Sequence, residues 1–305
     1  MRTMTERNKL KLSAIAQDIA FDEPMSRHTT FRIGGNADAF VNASSSQEIV
    51  SVITYCDEHR IPYMFMGNGS NMLVGDGGIR GVVISIGANM SKIQVVDNMI
   101  YAQAGALMSK VAAAALNAEL TGFETLSGIP GTIGGGVFMN AGAYGGEIKN
   151  VLKNVTYIAK NSNIVTRDAS DLELGYRSSR FSKKGGIIVK CCFELERGNK
   201  DEIAAAMKDY AQRRSDKQPL SFPSAGSTFK RPEGHFAGKL IQDAGLMGYS
   251  IGGAQVSDKH AGFIINTGGA TAKDVLDLME HVKKVVFDNS GVMLEPEVRL
   301  IGEML

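Results

Sequence analysis

Apolar residues recur every three or four positions in several stretches of the chain, which is the spacing of a helix that buries one face. The longest such stretch is 271–289, and its predicted buried stripe is Val275, Leu278, Met279, Val282, Val285 and Val286. The same spacing predicts an N-terminal helix over 1–20, whose apolar positions are Leu12, Ile15, Ile19 and Ala20. Further helices are predicted at 46–59, 109–117, 201–214 and 238–244.

Short apolar runs between turn residues predict β-strands. Two of these runs, 93–96 and 99–104, flank Asp97-Asn98 and are expected to pair as a hairpin. The other predicted strands lie at 39–42, 62–66, 82–86, 154–158, 164–166, 187–194, 262–266 and 293–301. We therefore expect mixed helices and strands in three parts: the helix over 1–20, a domain over 21–200 with subdomains at about 21–90 and 91–200, and a smaller domain over 201–305.

Composition and charge exclude several classes of protein. Apolar residues make up 44% of the chain and charged residues 21%, which is typical of a globular protein and excludes intrinsic disorder. The formal net charge of +1 provides no general attraction for nucleic acid. No run approaches the ~20 apolar residues of a membrane span. The N-terminus also lacks the apolar segment of a signal peptide.

Cysteine and histidine usage bears on compartment and on metal binding. The three cysteines are Cys56 and the adjacent pair Cys191 and Cys192, an odd number without the spacing of a disulfide framework. This pattern is typical of a reducing cytosol, so we expect a cytoplasmic protein. The five histidines are scattered, and neither CxxC nor HExxH occurs. The sequence therefore predicts no metal site.

Glycine is enriched, at 35 of 305 residues against a usual ~7%. The segment 128–146 alone contains eight glycines, and a second glycine loop spans 67–71. Glycine lets a ligand approach the backbone closely, and exposed N–H groups in such turns bind anions. Two such loops suit a diphosphate, although a tight structural crossover is the alternative for each. Neither loop matches the GxGxxG or GxxxxGK[ST] fingerprint.

Both loops resemble those of a known flavoenzyme family. MGNGSNMLV (66–74) and SGIPGTIGGGVFMNAGAYGGE (127–147) resemble the FAD loops of the bacterial UDP-N-acetylenolpyruvoylglucosamine reductases. Four further motifs stand in the family's order: RHTTFRIGG (27–35), YRSSRF (176–181), PSAGSTFKRP (223–232) and LEPEV (294–298). Each motif alone is modest. Six in order, over roughly residues 21–302, make the resemblance specific.

The resemblance implies an α+β fold, with a two-subdomain FAD-binding region of the vanillyl-alcohol-oxidase (PCMH) type before a smaller C-terminal α/β substrate domain. It implies that NADPH reduces non-covalently bound FAD. The enolpyruvyl ether of UDP-N-acetylglucosamine is then reduced to UDP-N-acetylmuramate, a step in peptidoglycan precursor synthesis. By the same resemblance, the residues expected to bind FAD are Gly67, Asn68, Gly69, Ser70, Asn71, Ser127, Gly128, Pro130, Gly131, Gly134, Gly135, Asn140 and Ala143.

Two residues match the family's carboxylate-binding and proton-donating positions. Arg177 in YRSSRF is expected to pair with the substrate carboxylate, because its planar guanidinium suits a bidentate contact with an enolate. A surface arginine near a turn is the alternative, and Arg180 fits that description as well. Ser227 matches the proton donor. Serine is also common in turns, with Ser221 and Ser224 close by.

Glu297 in LEPEV matches the glutamate that assists protonation of the enolate. On a strand over 293–301, Glu295 shares its face with Glu297 and is the competing candidate. A solvated polar edge is the alternative for both. Lys217 and Arg231 are the basic positions best supported as ligands of the UDP diphosphate.

The family has a longer form in which an inserted segment carries a tyrosine that closes over the substrate. Here Tyr210 is the one tyrosine between Arg177 and Ser227, and it falls inside a predicted helix, so the chain resembles the short form. We expect a monomer with small-molecule partners and no nucleic-acid or membrane partner. Two alternatives stay open: another FAD-dependent oxidase or dehydrogenase of the same fold, and a nucleotide-binding regulatory protein.

Overall fold

The computed structural model describes residues 4–304, which form eight α-helices and nineteen β-strands joined by turns and short 3-10 segments. The helices are α1 (Glu6–Ile15), α2 (Ser46–His59), α3 (Met108–Asn117), α4 (Ile133–Phe138), α5 (Arg180–Lys184), α6 (Lys200–Lys217), α7 (Ala237–Asp243) and α8 (Ala272–Ser290). The strands of the N-terminal half are β1 (Ile19–Pro24), β2 (Asn36–Asn42), β3 (Tyr63–Met66), β4 (Met72–Val74), β5 (Ile79–Ser85), β6 (Ile93–Val96), β7 (Met99–Gln103), β8 (Leu120–Thr121), β9 (Gly142–Ala143) and β10 (Gly146–Glu147). The remaining strands are β11 (Leu152–Ile158), β12 (Ile164–Asp168), β13 (Ile187–Glu194), β14 (Glu196–Arg197), β15 (Ser224–Ser227), β16 (Ser250–Ile251), β17 (Ala254–Val256), β18 (Phe263–Asn266) and β19 (Arg299–Ile301).

The described residues divide into two compact units, each built from three stretches of chain. The first unit comprises 4–21, 39–68 and 81–214, and the second comprises 22–38, 69–80 and 215–304. The sequence predicted continuous domains instead, with a boundary at residue 200. In the structure, two early stretches join the second unit, and α6 up to residue 214 belongs to the first. The functional division of the chain at residue 200 stays a prediction.

The first unit is organised around a five-stranded antiparallel sheet with the strand order β12-β11-β13-β7-β6. The predicted hairpin is confirmed, since β6 and β7 pair on either side of Asp97-Asn98. Helix α2 starts directly after Ser45, whose hydroxyl accepts a hydrogen bond from the Glu48 N–H at 3.1 Å. Its apolar face, which includes Ile49 and Ile53, is buried in the hydrophobic core of this unit.

The second unit has its own core beneath the antiparallel sheet β15-β18-β17-β16. Helix α8 begins with a capping box between Thr271 and Asp274 and ends at Gly291, which has a φ of 70°. The predicted stripe of α8 is confirmed, with Val285 half-buried and the other five residues buried. Strand β19 pairs in parallel with β4, so an early stretch of chain completes this unit.

Two predicted elements end earlier or start later than their patterns suggest. Helix α1 stops at Ile15, so the prediction of a helix over 1–20 is wrong beyond that residue; residues 1–3 lie outside the described residues. The Asp18 carbonyl accepts the Asn42 N–H at 2.9 Å, so Ile19 and Ala20 enter a sheet as part of β1. Sheet pairing here overrides a spacing that also fits a helix.

The predicted strand over 293–301 is wrong except for Arg299–Ile301. Pro296 has no N–H to donate and forms only an isolated bridge with Phe229. Conversely, the polar segment 217–234 contains β15, and the glycine-rich segment contains the short helix α4. Neither element had a periodic apolar pattern. Within residues 4–304, no helix is both long enough and apolar enough to cross a membrane.

Candidate functional site

The two glycine loops make contact inside the first unit. Gly67 follows β3 and lies against Thr132, so a Cβ at this position would overlap the Thr132 hydroxyl oxygen. That hydroxyl caps α4 by accepting the Gly135 N–H at 3.4 Å. Asn68 donates from Nδ2 to the Pro130 carbonyl at 2.8 Å. The close approach requires glycine at position 67 and holds the two predicted FAD loops together.

The backbone amides of the longer loop have different tasks. The N–H groups of Ile133 and Gly134 donate to carbonyls of the first unit at 2.8 Å, so Gly134 is a packing position rather than an open donor. By contrast, the N–H groups of Gly128 and Gly131 have no acceptor among residues 4–304. These two amides are therefore available to bind an anion.

Arg214 lies beside this open part of the loop, and the sequence analysis missed it. A Cβ on Gly128 would lie 3.2 Å from Arg214 Cδ. Burial lowers the pKa of Arg214, and within residues 4–304 no ion pair or hydrogen bond engages its guanidinium. Its neighbour Arg213 instead forms an exposed ion pair with Asp209 at 2.7 Å. A half-buried cation beside two open amides fits a diphosphate.

The other predicted cofactor residues of this segment are placed as follows. The Ser127 hydroxyl donates to the Glu124 carbonyl at 2.7 Å. Ala143 pairs with Gly146 in the β9–β10 hairpin, and Gly135 is exposed on α4. Tyr210 stacks on Tyr144 with ring centroids 5.1 Å apart. Tyr210 therefore packs against Tyr144, and the prediction that it lies inside a helix is confirmed.

Asn140 is fully buried, and its side chain makes hydrogen bonds within the first unit, while its contact with FAD stays a prediction. Its Nδ2 donates both to Glu147 Oε2 and to the Gly175 carbonyl, each at 3.0 Å. Its Oδ1 accepts the Lys149 N–H at 2.9 Å. The amide therefore links the β9–β10 hairpin to the turn that carries Arg177.

Arg177 occupies a tight turn closed by mutual backbone hydrogen bonds between Gly175 and Ser178 at 3.0 and 3.2 Å. Its φ of 50° is uncommon for a residue with a side chain, and such conformations concentrate at functional sites. The guanidinium lies 5.0 Å from the centre of the Tyr176 ring, and Nη2 is 3.5 Å from the Gly142 carbonyl. This half-buried setting differs from the alternative of a solvated surface arginine.

In the second unit, Ser227 and Glu297 lie on neighbouring segments joined through Thr228. Ser227 ends β15 and is exposed, while the next residue, Thr228, is buried. The Thr228 carbonyl accepts the Glu297 N–H at 2.8 Å, and the Thr228 N–H donates to the Gly262 carbonyl at 2.9 Å. The Thr228 hydroxyl accepts the Ile264 N–H at 3.0 Å. The buried threonine thereby fixes the backbone of both predicted catalytic residues.

Glu295 and Glu297 have different surroundings, although the sequence left them in competition. The Glu295 side chain is 71% exposed and forms an ion pair with Lys230 at 3.1 Å. Glu297 is half-buried, and its carbonyl accepts Asn71 Nδ2 at 3.1 Å. The setting of Glu295 is that of a solvated surface pair. The geometry therefore favours Glu297 as the functional carboxylate.

The shorter glycine loop passes from the first unit to the second between Asn68 and Gly69. Gly69 has a φ of 60°, and its carbonyl accepts the Thr30 N–H at 3.3 Å. Ser70 is half-buried, and the Asn71 carbonyl accepts the Arg299 N–H at 3.0 Å. Asn71 therefore supports the segment of Glu297 and β19, in addition to any role toward a cofactor.

The two basic residues predicted to bind a diphosphate lie in the second unit. Lys217 is the exposed last residue of α6. Burial lowers the pKa of His260, and the positive charge of Lys217 lowers it further. Arg231 lies over the Phe236 ring at 3.9 Å and donates from Nε to the His235 carbonyl at 3.3 Å. Both side chains are exposed and accessible to an anionic ligand.

Comparison with known proteins matches two parts of the chain to two family models. Residues 37–167 match the family model of an FAD binding domain, and residues 218–301 match that of the UDP-N-acetylenolpyruvoylglucosamine reductase C-terminal domain. Together these matches and the mixed helices and strands confirm the predicted fold class.

Three proteins of similar length resemble most of the chain. The UDP-N-acetylenolpyruvoylglucosamine reductase of Clostridium perfringens (strain SM101 / Type A) is 54% identical over 286 residues, covering 94% of each chain. That of Lachnoclostridium phytofermentans is 49% identical over 299 residues, covering 97% of this chain and 96% of the relative. The solved UDP-N-acetylenolpyruvylglucosamine reductase of Thermus caldophilus is 31% identical, with a TM-score of 0.80, covering 93% of this chain and 98% of the other.

Proposed function

This chain belongs to the UDP-N-acetylenolpyruvoylglucosamine reductase family of FAD-dependent oxidoreductases, and we propose that it uses NADPH to reduce UDP-N-acetylglucosamine enolpyruvate to UDP-N-acetylmuramate. The strongest structural support is the pairing of the Ser227 and Glu297 segments through Thr228. One buried residue therefore holds the backbone of the proposed proton donor and of the residue proposed to assist it.

The first unit fits FAD on three observations. Gly67 lies directly against Thr132, the amides of Gly128 and Gly131 are open, and Arg214 supplies a half-buried positive charge. We propose that these residues hold the FAD diphosphate, with Asn68, Ser70 and the other predicted loop residues nearby. When bound, FAD supplies hydride transfer between NADPH and the methylene carbon of the enolpyruvyl group. No His or Cys lies in either loop, which favours non-covalent binding.

Arg177 binds the carboxylate of the enolpyruvyl group in this proposal. Hydride addition to the methylene carbon places negative charge on that carboxylate as an enolate. A guanidinium held in place before the reaction stabilises the developing charge without reorganising. Preorganised donors of this kind contribute about 3–4 kcal/mol. The strained turn at Arg177 supports this role, because it fixes the direction in which the side chain leaves the backbone.

Ser227 donates the proton that the enolate carbon takes up. A hydroxyl is a weak acid, but an enolate carbon is a strong base, so the transfer is feasible. The Glu297 carboxyl group assists in its protonated form, by giving a proton to the Ser227 oxygen as the serine proton passes to carbon. Lys217 and Arg231 bind the diphosphate of the UDP-sugar, because both are exposed cations that can approach phosphate oxygens. The buried amide of Asn140 and the surface carboxylate of Glu295 take no chemical part.

We also propose that the protein works on small molecules as a monomer in the cytoplasm. The three cysteines are free and buried, which suits a reducing compartment. Light scattering during gel filtration tests the oligomeric state. A mass near 32.7 kDa supports a monomer, and twice that mass contradicts it.

An anaerobic two-step absorbance experiment tests the activity. NADPH is added to the purified holoprotein and flavin bleaching is followed, and the enolpyruvyl UDP-sugar is then added without oxygen. Return of the flavin colour supports the proposed reaction. Bleaching without recolouring indicates a different oxidant for the same flavin fold. A colourless protein that takes up no added FAD contradicts the proposed role of the glycine loops.

A further inference from the structure

A single buried amide connects the Arg177 turn to a carboxylate. Both hydrogens of Asn140 Nδ2 are used, one on Glu147 Oε2 and one on the Gly175 carbonyl. An amide nitrogen has only these two hydrogens, so the two acceptors are held at a fixed separation. Gly175 lies two residues before Arg177 and closes its turn by bonding Ser178. Movement of the carboxylate would therefore be transmitted to the turn.

A second connection runs through the β9–β10 hairpin. Gly142 pairs with Glu147 across this hairpin, and a Cβ on Gly142 would lie 2.7 Å from Glu147 Cγ. The Gly142 carbonyl faces Arg177 Nη2 at 3.5 Å. The guanidinium of Arg177 therefore reaches the residue directly opposite Glu147. Backbone and side chain of Arg177 are both connected to the same carboxylate.

The charged groups around Glu147 agree with this geometry. Lys149 lies 2.8 Å from Glu147 Oε2, and it is the largest influence lowering the pKa of Glu147. The Asn140 amide and the positive charge of Arg177 lower that pKa further, against partial burial that raises it. Glu147 is thus a carboxylate held in its charged form near two cations. The negative charge of Glu147 lies close enough to Arg177 for the two charges to interact.

We propose that Asn140 and Glu147 position Arg177, and that Glu147 is a positioning residue for reduction of the enolpyruvyl group. This inference rests on the proposed role of Arg177. Arginine has many rotamers, and a guanidinium that is oriented before substrate arrives loses less freedom on binding. The carboxylate also balances the charge of Arg177 while the site awaits the substrate carboxylate.

The test compares Glu147→Gln with Glu194→Gln. Glutamine keeps an oxygen that can accept from Asn140 but removes the charge. Glu194 is a matched control, because it pairs with Lys153 at the same 2.8 Å on the exposed end of β13. Flavin reduction by NADPH and reoxidation by the enolpyruvyl UDP-sugar are measured separately by anaerobic stopped flow. Thermal unfolding and FAD content are measured for each variant.

We expect Glu147→Gln to slow reoxidation about tenfold while leaving reduction within about twofold, because small displacements of a binding group cost rate in the step it serves. Glu194→Gln should change neither step. Unchanged reoxidation in Glu147→Gln, or equal slowing of both steps, overturns the inference. If Glu147→Gln does not fold, Glu147→Asp keeps the charge on a shorter side chain, and a selective loss in reoxidation is expected there too.

A double-mutant cycle separates positioning from a general structural effect. If Glu147 acts through Arg177, adding Glu147→Gln to Arg177→Lys should cause little further loss of reoxidation. If the two substitutions reduce the reoxidation rate by factors that simply multiply, the inference is overturned. The unmodified protein tests the proposed reaction itself, separately from the positioning role of Glu147. If the enolpyruvyl UDP-sugar does not reoxidise its flavin, the proposed function itself fails, whereas normal reoxidation with an unchanged Glu147→Gln contradicts positioning alone.

Discussion

The two units present their candidate residues in contrasting ways. In the first unit, the glycine loops meet through direct contact at Gly67, and the turn of Arg177 depends on the buried amide of Asn140. In the second unit, exposed Ser227 and half-buried Glu297 are held by backbone hydrogen bonds of Thr228. Side-chain changes in the second unit should therefore separate chemistry from folding. Changes at the glycine loops of the first unit should affect cofactor binding and stability together.

The sharpest test of this contrast is Ser227→Ala. The Ser227 side chain is exposed and the frame around it is made by backbone groups, so folding and flavin reduction by NADPH should be unchanged. Flavin reoxidation by the enolpyruvyl UDP-sugar should fall by about 10²–10⁴-fold, the usual contribution of a positioned acid. Stopped-flow absorbance measures both steps. Ser221→Ala, a nearby exposed serine, is the control, and equal loss in both half-reactions would instead indicate a binding or folding role for Ser227.

A smaller loss is expected for Glu297→Gln, because Glu297 assists the proton transfer instead of performing it. We expect reoxidation to slow by about tenfold to a hundredfold. Glu295→Gln should leave the rate unchanged, because its exposed pair with Lys230 contributes at most about 1 kcal/mol to stability. Parallel single-turnover measurements on the two variants decide between the carboxylates. The reverse order of effects would assign the role to Glu295.

In the first unit, Arg214→Gln should weaken FAD binding by about tenfold or more, since a lost hydrogen bond to a charged group costs about 1.5–3 kcal/mol. Arg213→Gln removes the same charge from the adjacent exposed position, where the partner is Asp209, and should have little effect. Fluorescence titration of the apoproteins with FAD gives both dissociation constants. Equal affinities for the two variants would remove Arg214 from the cofactor site.

The smallest expected effect concerns packing between the loops. Gly67→Ala places a methyl group against the Thr132 hydroxyl and should lower the free energy of unfolding by about 1 kcal/mol, the low end for overpacking. At Gly87 an added methyl would meet only Ser85 Oγ at 3.5 Å, so Gly87→Ala is the matched control. Thermal denaturation of the holoproteins measures the difference. A Gly67→Ala protein as stable as the control would show that the loops adjust freely.

Elements with a strong apolar period were predicted well from the sequence. The stripe of α8 and the β6–β7 hairpin are confirmed, because burial of one face fixes both the type of element and its register. Strand β15 and helix α4 were missed because serine and glycine carry no such period. The helix ended early at Ile15 because pairing of β1 depends on residues far along the chain.

The candidate site could also be predicted only in part from the sequence. Motifs located the two glycine loops, but only the structure shows that Gly67 contacts Thr132 and that Asn140 is wholly buried. Arg214 had no functional signal in the sequence, since the role proposed for it depends on its position against Gly128. Likewise, periodicity placed Glu295 and Glu297 on one face. The absent N–H of Pro296 and the bond between Glu297 and Thr228 make their surroundings different.

The parallel pairing of β4 with β19 has a consequence for synthesis on the ribosome. Strand β4 ends at Val74 and β19 begins at Arg299, so more than 200 residues must be translated between the two. At a translation rate of about 5–20 residues per second, roughly tens of seconds pass between the synthesis of β4 and that of β19. Leu73, which ends fully buried in the second core, is without that partner strand throughout the interval. The second unit is therefore completed last, although its strand β4 is translated early. Until β19 is translated, this apolar strand must be kept from aggregating.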